Sequence, residues 1–239
     1  MTVYLTGAGI GGIDYLTVKA YRLIQKAEVI IYDALVDESI LSLAPSTAIK
    51  IPVGKRGGKF STPQSRINKI LTEYALKYDI VIRLKSGDPA IFGRINPEIS
   101  ALHRINASVE LIPGISSVLG APLLAGITLT EKNLSKNFTV ISGHDADNLD
   151  WHILSKLDTL IILMGGKNLP IIIEKLLENQ RPSTQPITII KNAGRSNQQI
   201  WYSNLGNVIN ETANIQLSPS VIVIGDMARM QNEECRMQN

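Results

Sequence analysis

Cysteine is almost absent. Cys235 is the only one in 239 residues, so no intrachain disulfide can form, and that scarcity fits a reducing compartment. Histidine is nearly as scarce, and His103, His144 and His152 are dispersed without metal-ligand spacing. They read as structural or surface residues, and no metal site is expected. Neither sign of charge dominates: 24 Lys and Arg stand against 21 Asp and Glu. A net charge of +3 is too mild to argue for nucleic acid and only leans toward anionic ligands. No apolar run approaches the roughly 20 residues a spanning helix requires. No basic leader with a long apolar stretch opens the chain either, because Gly7 to Gly12 interrupts it early. The expectation is a soluble cytoplasmic protein with neither membrane nor nucleic acid as partner. There is no internal repeat, no low-complexity linker and no G-x-S-x-G elbow, so Ser116-Ser117 is not a serine-hydrolase nucleophile.

What is present is an ordinary globular composition, 44% apolar and 19% charged, long enough for one large α/β domain or two small ones. Short β-branched runs alternate with segments of helical period. Strands are expected at Val3–Thr6, Val29–Tyr32, Ala48–Val53, Ile80–Leu84 and Val109–Ile112. Between them lie apolar helix faces at Leu16 to Ala27, Ile67 to Tyr74 and Ile99 to Ile105, with Pro63 suited to a first turn. Pro113-Gly114 marks the boundary, giving domains 1–113 and 114–239. The second half opens with a small-residue helix over 116–125. Its strands are expected at Phe138–Ile141, Thr159–Leu163, Ile187–Ile190, Gln199–Ser203 and Val221–Ile224, with a helix at Leu169–Glu178 and a polar tail from about 227. Because no long helix precedes Gln199, this half reads as a mixed sheet. The fold class is α/β: two α/β domains with a cofactor cleft between them.

Three features carry chemistry. Gly7-Ala-Gly9-Ile-Gly11-Gly12 follows the first strand, Asp33 ends the second, and Lys55-Arg56 follows Val53-Gly54. A carboxylate, an ammonium and a backbone-exposing loop on successive strand ends describe an active site. One rival is a dinucleotide-binding domain, since Gly7, Gly9 and Gly12 match G-x-G-x-x-G and Asp33 lies 21 residues beyond. Against it, Asp14 stands where a helix N-terminus should receive an anion. That reading also gives no role to Lys55-Arg56 or Gly87-Asp88-Pro89.

The ordered set Gly7-Ala-Gly-Ile-Gly11, Tyr32-Asp-Ala-Leu-Val36, Val53-Gly-Lys-Arg56, Arg83-Leu-Lys-Ser-Gly-Asp-Pro89, Phe92-Gly-Arg94, Pro113-Gly-Ile-Ser-Ser117, Ser142-Gly-His144 and Met164-Gly165 resembles the tetrapyrrole methylase family. The Tyr-Asp and Val-Gly-Lys-Arg blocks favour its uroporphyrinogen-methylating branch. The similarity runs from Val3 to about Gly225. It implies the class III methyltransferase fold and a homodimer. It also implies S-adenosylmethionine as methyl donor with S-adenosylhomocysteine as product, and C-methylation of the tetrapyrrole uroporphyrinogen III at two ring carbons to give precorrin-2, on the siroheme or cobalamin route. Asp33 would be proton acceptor and Lys55 proton donor. Ile10, Ser86, Gly87, Asp88, Ile91, Ser116, Ser117, Met164 and Ala193 would bind cofactor. A substrate rich in carboxylates would draw on Arg56, Lys59, Arg83, Lys85 and Arg94, expected in cleft-facing loops of the first half. Methylation of another precorrin, or a degraded binding homologue, are the alternatives.

Plainer readings stand beside these. Asp33 can be the N-cap of the next helix, Lys55 and Arg56 solvated loop cations, Gly87-Asp88-Pro89 an Asx-type turn, Met164 a core residue, and Trp151 and Trp201 packing residues. The chain also departs from the family pattern. Ile10 stands where proline is usual and Gly12-Ile13 where Asp-Pro is usual. Ser86 replaces a glycine, which requires a negative φ. Ile95-Asn-Pro-Glu98 replaces Gly-Gly-Glu-Glu. These changes are expected in cofactor and substrate loops, Ile10 leaving its loop freer and bulkier.

Overall fold

All ten expected strands form in the computed structural model, which describes residues 1–54 and 62–229. The chain divides into two compact units, Met1–Ser116 and Ser117 onward.

The first unit runs β1 (Thr2–Gly7), α1 (Val18–Ile24), β2 (Val29–Tyr32), α2 (Glu38–Leu41), β3 (Ile49–Pro52), α3 (Gln64–Ala75), β4 (Ile80–Lys85), α4 (Ile95–His103) and β5 (Ser108–Ile112). Its five strands are parallel, in the order β3-β2-β4-β1-β5. Parallel neighbours need crossovers, and the helices supply them. Residues of period two then face opposite helix layers. Val3, Leu5, Val29, Ile31 and Val81 pack against Leu71 of α3 and Leu102 of α4. Ile30, Ile82 and Leu84 pack against Ile24 of α1 and Ile40 of α2. Local chemistry sets the starts: the Thr17 hydroxyl accepts from Ala20 N at 3.2 Å, and Pro63 precedes α3.

This order excludes the dinucleotide-binding reading. In that fold the glycine-bearing strand and the acid-bearing strand are neighbours. Here β4 lies between β1 and β2, placing the end of β2 two strand spacings, ~10 Å, from β1. Only a 3-10 turn, Ile13–Tyr15, follows Gly12, and α1 starts later with its own threonine cap. Among the described residues, no helix of the first unit starts in the glycine loop.

The second unit runs α5 (Ser117–Leu124), β6 (Phe138–Ser142), α6 (Trp151–Leu154), β7 (Thr159–Leu163), α7 (Leu169–Glu178), β8 (Pro186–Lys191), β9 (Gln199–Asn204), α8 (Val208–Glu211) and β10 (Ser220–Ile224). The sheet, β6-β7-β10-β8-β9, is mixed: β6 and β7 are parallel and the other pairings antiparallel. Leu160, Ile162, Ile187, Ile189, Ile222 and Ile224 pack against α6, α7 and α8, and Ile161, Ile190, Val221 and Val223 against α5.

Several expectations are corrected. The tail does not begin at 227: Met227 and Ala228 are 0% and 1% exposed, and Thr188 Oγ1 donates to the Ala228 carbonyl at 2.6 Å. Ile95-Asn-Pro97 is not loop but the first turn of α4, where proline is tolerated because its missing N–H has no helical partner. The four-residue helices α2, α6 and α8 were not anticipated, being too short for a period to register. Trp151 does pack, its Nε1 donating to the Ala146 carbonyl at 2.7 Å, and Trp201 packs at the core edge. All three histidines are exposed. Among the described residues, no helix is long and apolar enough to cross a membrane.

Candidate active site

In a parallel sheet every strand delivers its C-terminal loop to the same edge, where open α/β folds place ligands. In the first unit that edge collects Gly7 to Ile10 after β1, Asp33 after β2, Val53-Gly54 after β3, Ser86-Gly87-Asp88 after β4 and Pro113-Gly114 after β5. The loops are in backbone contact. Gly87 N donates to the Gly9 carbonyl at 2.8 Å and Gly9 N returns to the Gly87 carbonyl at 3.2 Å. A Cβ on Gly7 would lie 2.6 Å from both Gly114 Cα and the Gly87 carbonyl oxygen, so only glycine fits there. Asp88 ties the edge together: Oδ1 accepts from Ala90 N at 2.8 Å and Oδ2 from Gly114 N at 3.0 Å. The Asx-type turn is therefore real, and it also fastens the β4 loop to the β5 loop. Ser86 is not among the residues of positive φ, so serine meets the condition set on it.

Asp33 is held from three sides. Its amide donates to the Leu84 carbonyl at 3.1 Å, its carbonyl accepts from Val36 N at 3.1 Å, and its Oδ1 accepts from Arg83 Nη2 at 2.5 Å. The N-cap reading is wrong, because Asp37 caps α2 through its Oδ1 to Ser39 N. Asp33 keeps 29% of its side chain exposed, and among the described residues Oδ2 has no partner. Beside it, Gly54 packs so tightly on Ala34 that a Cβ would lie 2.0 Å from Ala34 N.

Arg83 and Lys85 are not loop cations. They lie on β4, 1% and 4% exposed, and both reach Glu98 Oε1, Arg83 through Nε at 3.1 Å and Lys85 through Nζ at 3.0 Å. Neither is free to meet a substrate carboxylate. Burial, and after it the Arg83 guanidinium, hold the Lys85 ammonium below its ordinary pKa of 10.5, against the pull of Glu98 and Asp33. The unfolded chain keeps this proton to higher pH than the folded one. Stability therefore rises with pH in the window below 10.5. Urea midpoints of the wild type relative to Lys85→Met are expected to climb as pH rises through that window, and a flat or falling difference contradicts the assignment.

Ile91 and Arg94 are exposed, and Phe92 and Arg94 both adopt left-handed backbone, φ 51 and 52, around Gly93, whose Cβ would clash with the Pro89 carbonyl. Ile10 is buried at 7% exposure, so the bulkier residue packs inward. Gly12 has ordinary extended backbone, and a Cβ there meets only Ser39 Oγ at 3.4 Å. Lys55, Arg56 and Lys59 lie outside the described residues. Ser116 immediately precedes α5 and Ser117 opens it.

In the second unit, β7 and β8 are both antiparallel to β10, so their C-terminal ends share an edge with the N-terminal end of β10. Met164 follows β7 and Ala193 lies just past β8. Met164 is 50% exposed with φ 58, which overturns the core reading. Between them stands Ser220, opposite Lys191, whose buried Oγ has no hydrogen-bond partner among the described residues.

A profile of tetrapyrrole (corrin/porphyrin) methylases matches residues 2–209. The chain belongs to the tetrapyrrole methylase family. It is 46% identical over 228 residues to a uroporphyrinogen-III C-methyltransferase of Synechococcus elongatus, covering 95% of this chain and 94% of that one. It is 39% identical to a siroheme synthase of Pseudoalteromonas atlantica over 97% of this chain, but spans only 51% of that relative. Among solved structures, the uroporphyrin-III C-methyl transferase of Thermus thermophilus complexed with S-adenyl homocysteine superposes with a TM-score of 0.83. Its sequence is 33% identical, and the match covers 96% of this chain and 99% of that one.

Two features beside the candidate site residues, Glu98 and Ser220, were not expected from the sequence. Glu98 was noted only as part of a departure, although a carboxylate in a first helical turn is the natural counter-charge for Arg83 and Lys85, two cations at alternate positions of an otherwise apolar strand. Ser220 offered no such signal, because an orphaned hydroxyl at a strand end is visible only in three dimensions.

Proposed function

We propose that this chain transfers methyl groups from S-adenosylmethionine to two ring carbons of uroporphyrinogen III, giving precorrin-2. The observation that carries the reading is Asp33: a carboxylate at the carboxyl edge of the sheet, fixed through Oδ1 by Arg83 and 29% exposed. The names of the full-length relatives support the same chemistry.

The residues fit such a cofactor. In the first unit the Gly7, Gly87 and Gly114 loops meet backbone to backbone at the carboxyl edge, where Gly87 and Gly114 stay partly exposed. When bound, S-adenosylmethionine supplies an electrophilic methyl on a sulfonium that departs as a neutral thioether. Ile10, Ser86, Gly87, Asp88, Ile91, Ser116, Ser117, Met164 and Ala193 hold it in this reading. The protein's task is then alignment and proton management. As an electron-rich pyrrole carbon takes the methyl group, a proton leaves the ring system, and Asp33 Oδ2 accepts it. Lys55 returns a proton elsewhere on the macrocycle. With Arg83 and Lys85 engaged by Glu98, the substrate carboxylates fall to Arg94, Arg56 and Lys59.

Anaerobic incubation with both substrates, followed by mass spectrometry of the oxidised tetrapyrrole, tests the reaction. A product heavier by two methyl groups supports it. Unmodified tetrapyrrole from protein that binds S-adenosylhomocysteine rejects it.

The same reading makes the chain a cytoplasmic homodimer. α5 supports the dimer: it is apolar on every side, yet Leu119 and Leu123, one turn apart, are 55% and 71% exposed. Sedimentation is expected to give the mass of two chains, and Leu119→Glu/Leu123→Glu the mass of one. A wild type that sediments as one chain contradicts the dimer.

A further inference from the structure

Arg83 is gripped from behind and free only in front. Its Nε donates to Glu98 Oε1 at 3.1 Å, and Nη1 to the Leu84 and Ile31 carbonyls at 3.1 and 3.4 Å. That leaves Nη2 directed at Asp33 Oδ1, 2.5 Å away. Glu98, in the first turn of α4, is the only carboxylate on the rear of the guanidinium among the described residues. It is fully buried, at 0% exposure. Its Oε1 takes both Arg83 and Lys85, while Oε2 has no partner among the described residues. Two cations and two carboxylates thus balance inside the unit.

Packing does not require this arrangement. In the adjoining strands the positions level with Arg83 are Leu5 and Ile31, both 0% exposed, so the layer accommodates aliphatic side chains. Buried ion pairs can often be replaced by such residues without loss of stability. The Lys85 ammonium, disfavoured by its burial, and the orphaned Oε2 are standing costs. What the network provides beyond cohesion is a guanidinium whose plane cannot rotate. Through it, the Asp33 carboxylate is fixed with one oxygen occupied and the other open.

We infer that Glu98 is a positioning residue for Asp33, acting through Arg83 and touching neither substrate nor cofactor. The inference rests on the proposed role of Asp33 as proton acceptor. Removing the negative charge of Glu98 weakens the grip on Nε and leaves the guanidinium held mainly through Nη1 at the Leu84 and Ile31 carbonyls, so the Asp33 carboxylate is held less firmly in its orientation.

Two measurements on Glu98→Gln test this. The first needs no turnover: carbodiimide-driven amine coupling at Asp33, read by peptide mass spectrometry against Asp79, whose side chain is 91% exposed. The Asp33 rate relative to Asp79 is expected to rise several-fold in the variant. The second is a kinetic cycle. Glu98→Gln is expected to lower kcat about ten-fold or more, with KM for S-adenosylmethionine little changed, and to add no further loss in an Asp33→Asn background. A residue that merely stabilised the unit would lower both backgrounds alike. An unchanged Asp33 labelling rate, or equal kcat losses in both backgrounds, overturns the inference. Should Glu98→Gln not fold, Glu98→Asp, which keeps the charge but withdraws it by one methylene, passes through the same two measurements. If the wild type yields no methylated tetrapyrrole, the proposed reaction fails, and the labelling comparison still decides the role of Glu98.

Discussion

Asp33→Asn is expected to lower the turnover of uroporphyrinogen III by ~100- to 10,000-fold, the range for loss of a positioned general base. Affinity for S-adenosylhomocysteine should stay within about two-fold, because this removes a transition-state interaction rather than uniform binding. The geometry supports a selective effect. The amide oxygen of asparagine can still accept from Arg83 Nη2, and the backbone bonds to Leu84 and Val36 do not involve the side chain. Fold and cofactor loops should therefore survive. Mass spectrometry of the tetrapyrrole against time gives turnover, calorimetry gives affinity, and a thermal melt checks the fold. Wild-type turnover in a folded Asp33→Asn protein would remove Asp33 from the chemistry. A parallel collapse of cofactor affinity would make it a binding residue instead.

The strands were legible because their signal is local. Val29–Tyr32 and Thr159–Leu163 are short β-branched runs, and the structure places strands over those same residues. The mixed character of the second sheet was legible for a topological reason: β8 and β9 are separated by too few residues for a crossover, so they can only pair antiparallel. The order of the first sheet was not legible. Insertion of β4 between β1 and β2 depends on which faces the helices cover, and no window of sequence carries that. This is why the Gly7-x-Gly9-x-x-Gly12 match could suggest a dinucleotide fold that the topology excludes.

The site was half legible for a similar reason. Asp33 directly follows a short β-branched strand, and Asp88 stands between glycine and proline just past another, so both are visible as strand-end carboxylates. Arg83 and Lys85 were misplaced because a cation in a sequence reads as a cation in solvent. Only their distances to Glu98, 3.1 and 3.0 Å, reveal that they are spoken for internally. The core reading of Met164 failed in the opposite sense. Methionine after an apolar strand reads as core, yet its left-handed backbone turns it out of the unit, half exposed.

Gly114→Ala is the second substitution expected to have a large effect, and it separates space from backbone conformation. Gly114 does not have a positive φ, so alanine meets no torsional penalty. The obstacle is contact: its Cβ would lie 2.3 Å from the Gly87 carbonyl oxygen and 2.8 Å from Gly7 Cα. Both are backbone atoms, so no rotamer change relieves the overlap, and the loops after β1, β4 and β5 must move apart. That displacement also strains the Gly114 N to Asp88 Oδ2 bond of 3.0 Å. Overpacking of this kind costs about 1–3 kcal/mol, which for a chain of this length lowers Tm by roughly 2–12 °C. If these loops hold the cofactor, S-adenosylhomocysteine affinity should fall about ten-fold or more, since 1.4 kcal/mol of misalignment is roughly a factor of ten. Gly12→Ala provides the contrast, because its Cβ meets only Ser39 Oγ at an ordinary 3.4 Å. It should change stability by no more than about 0.5 kcal/mol and leave affinity intact. Calorimetric titration of both variants reads the difference. Equal affinities would mean that the three-glycine junction shapes the sheet edge without forming the cofactor's cradle.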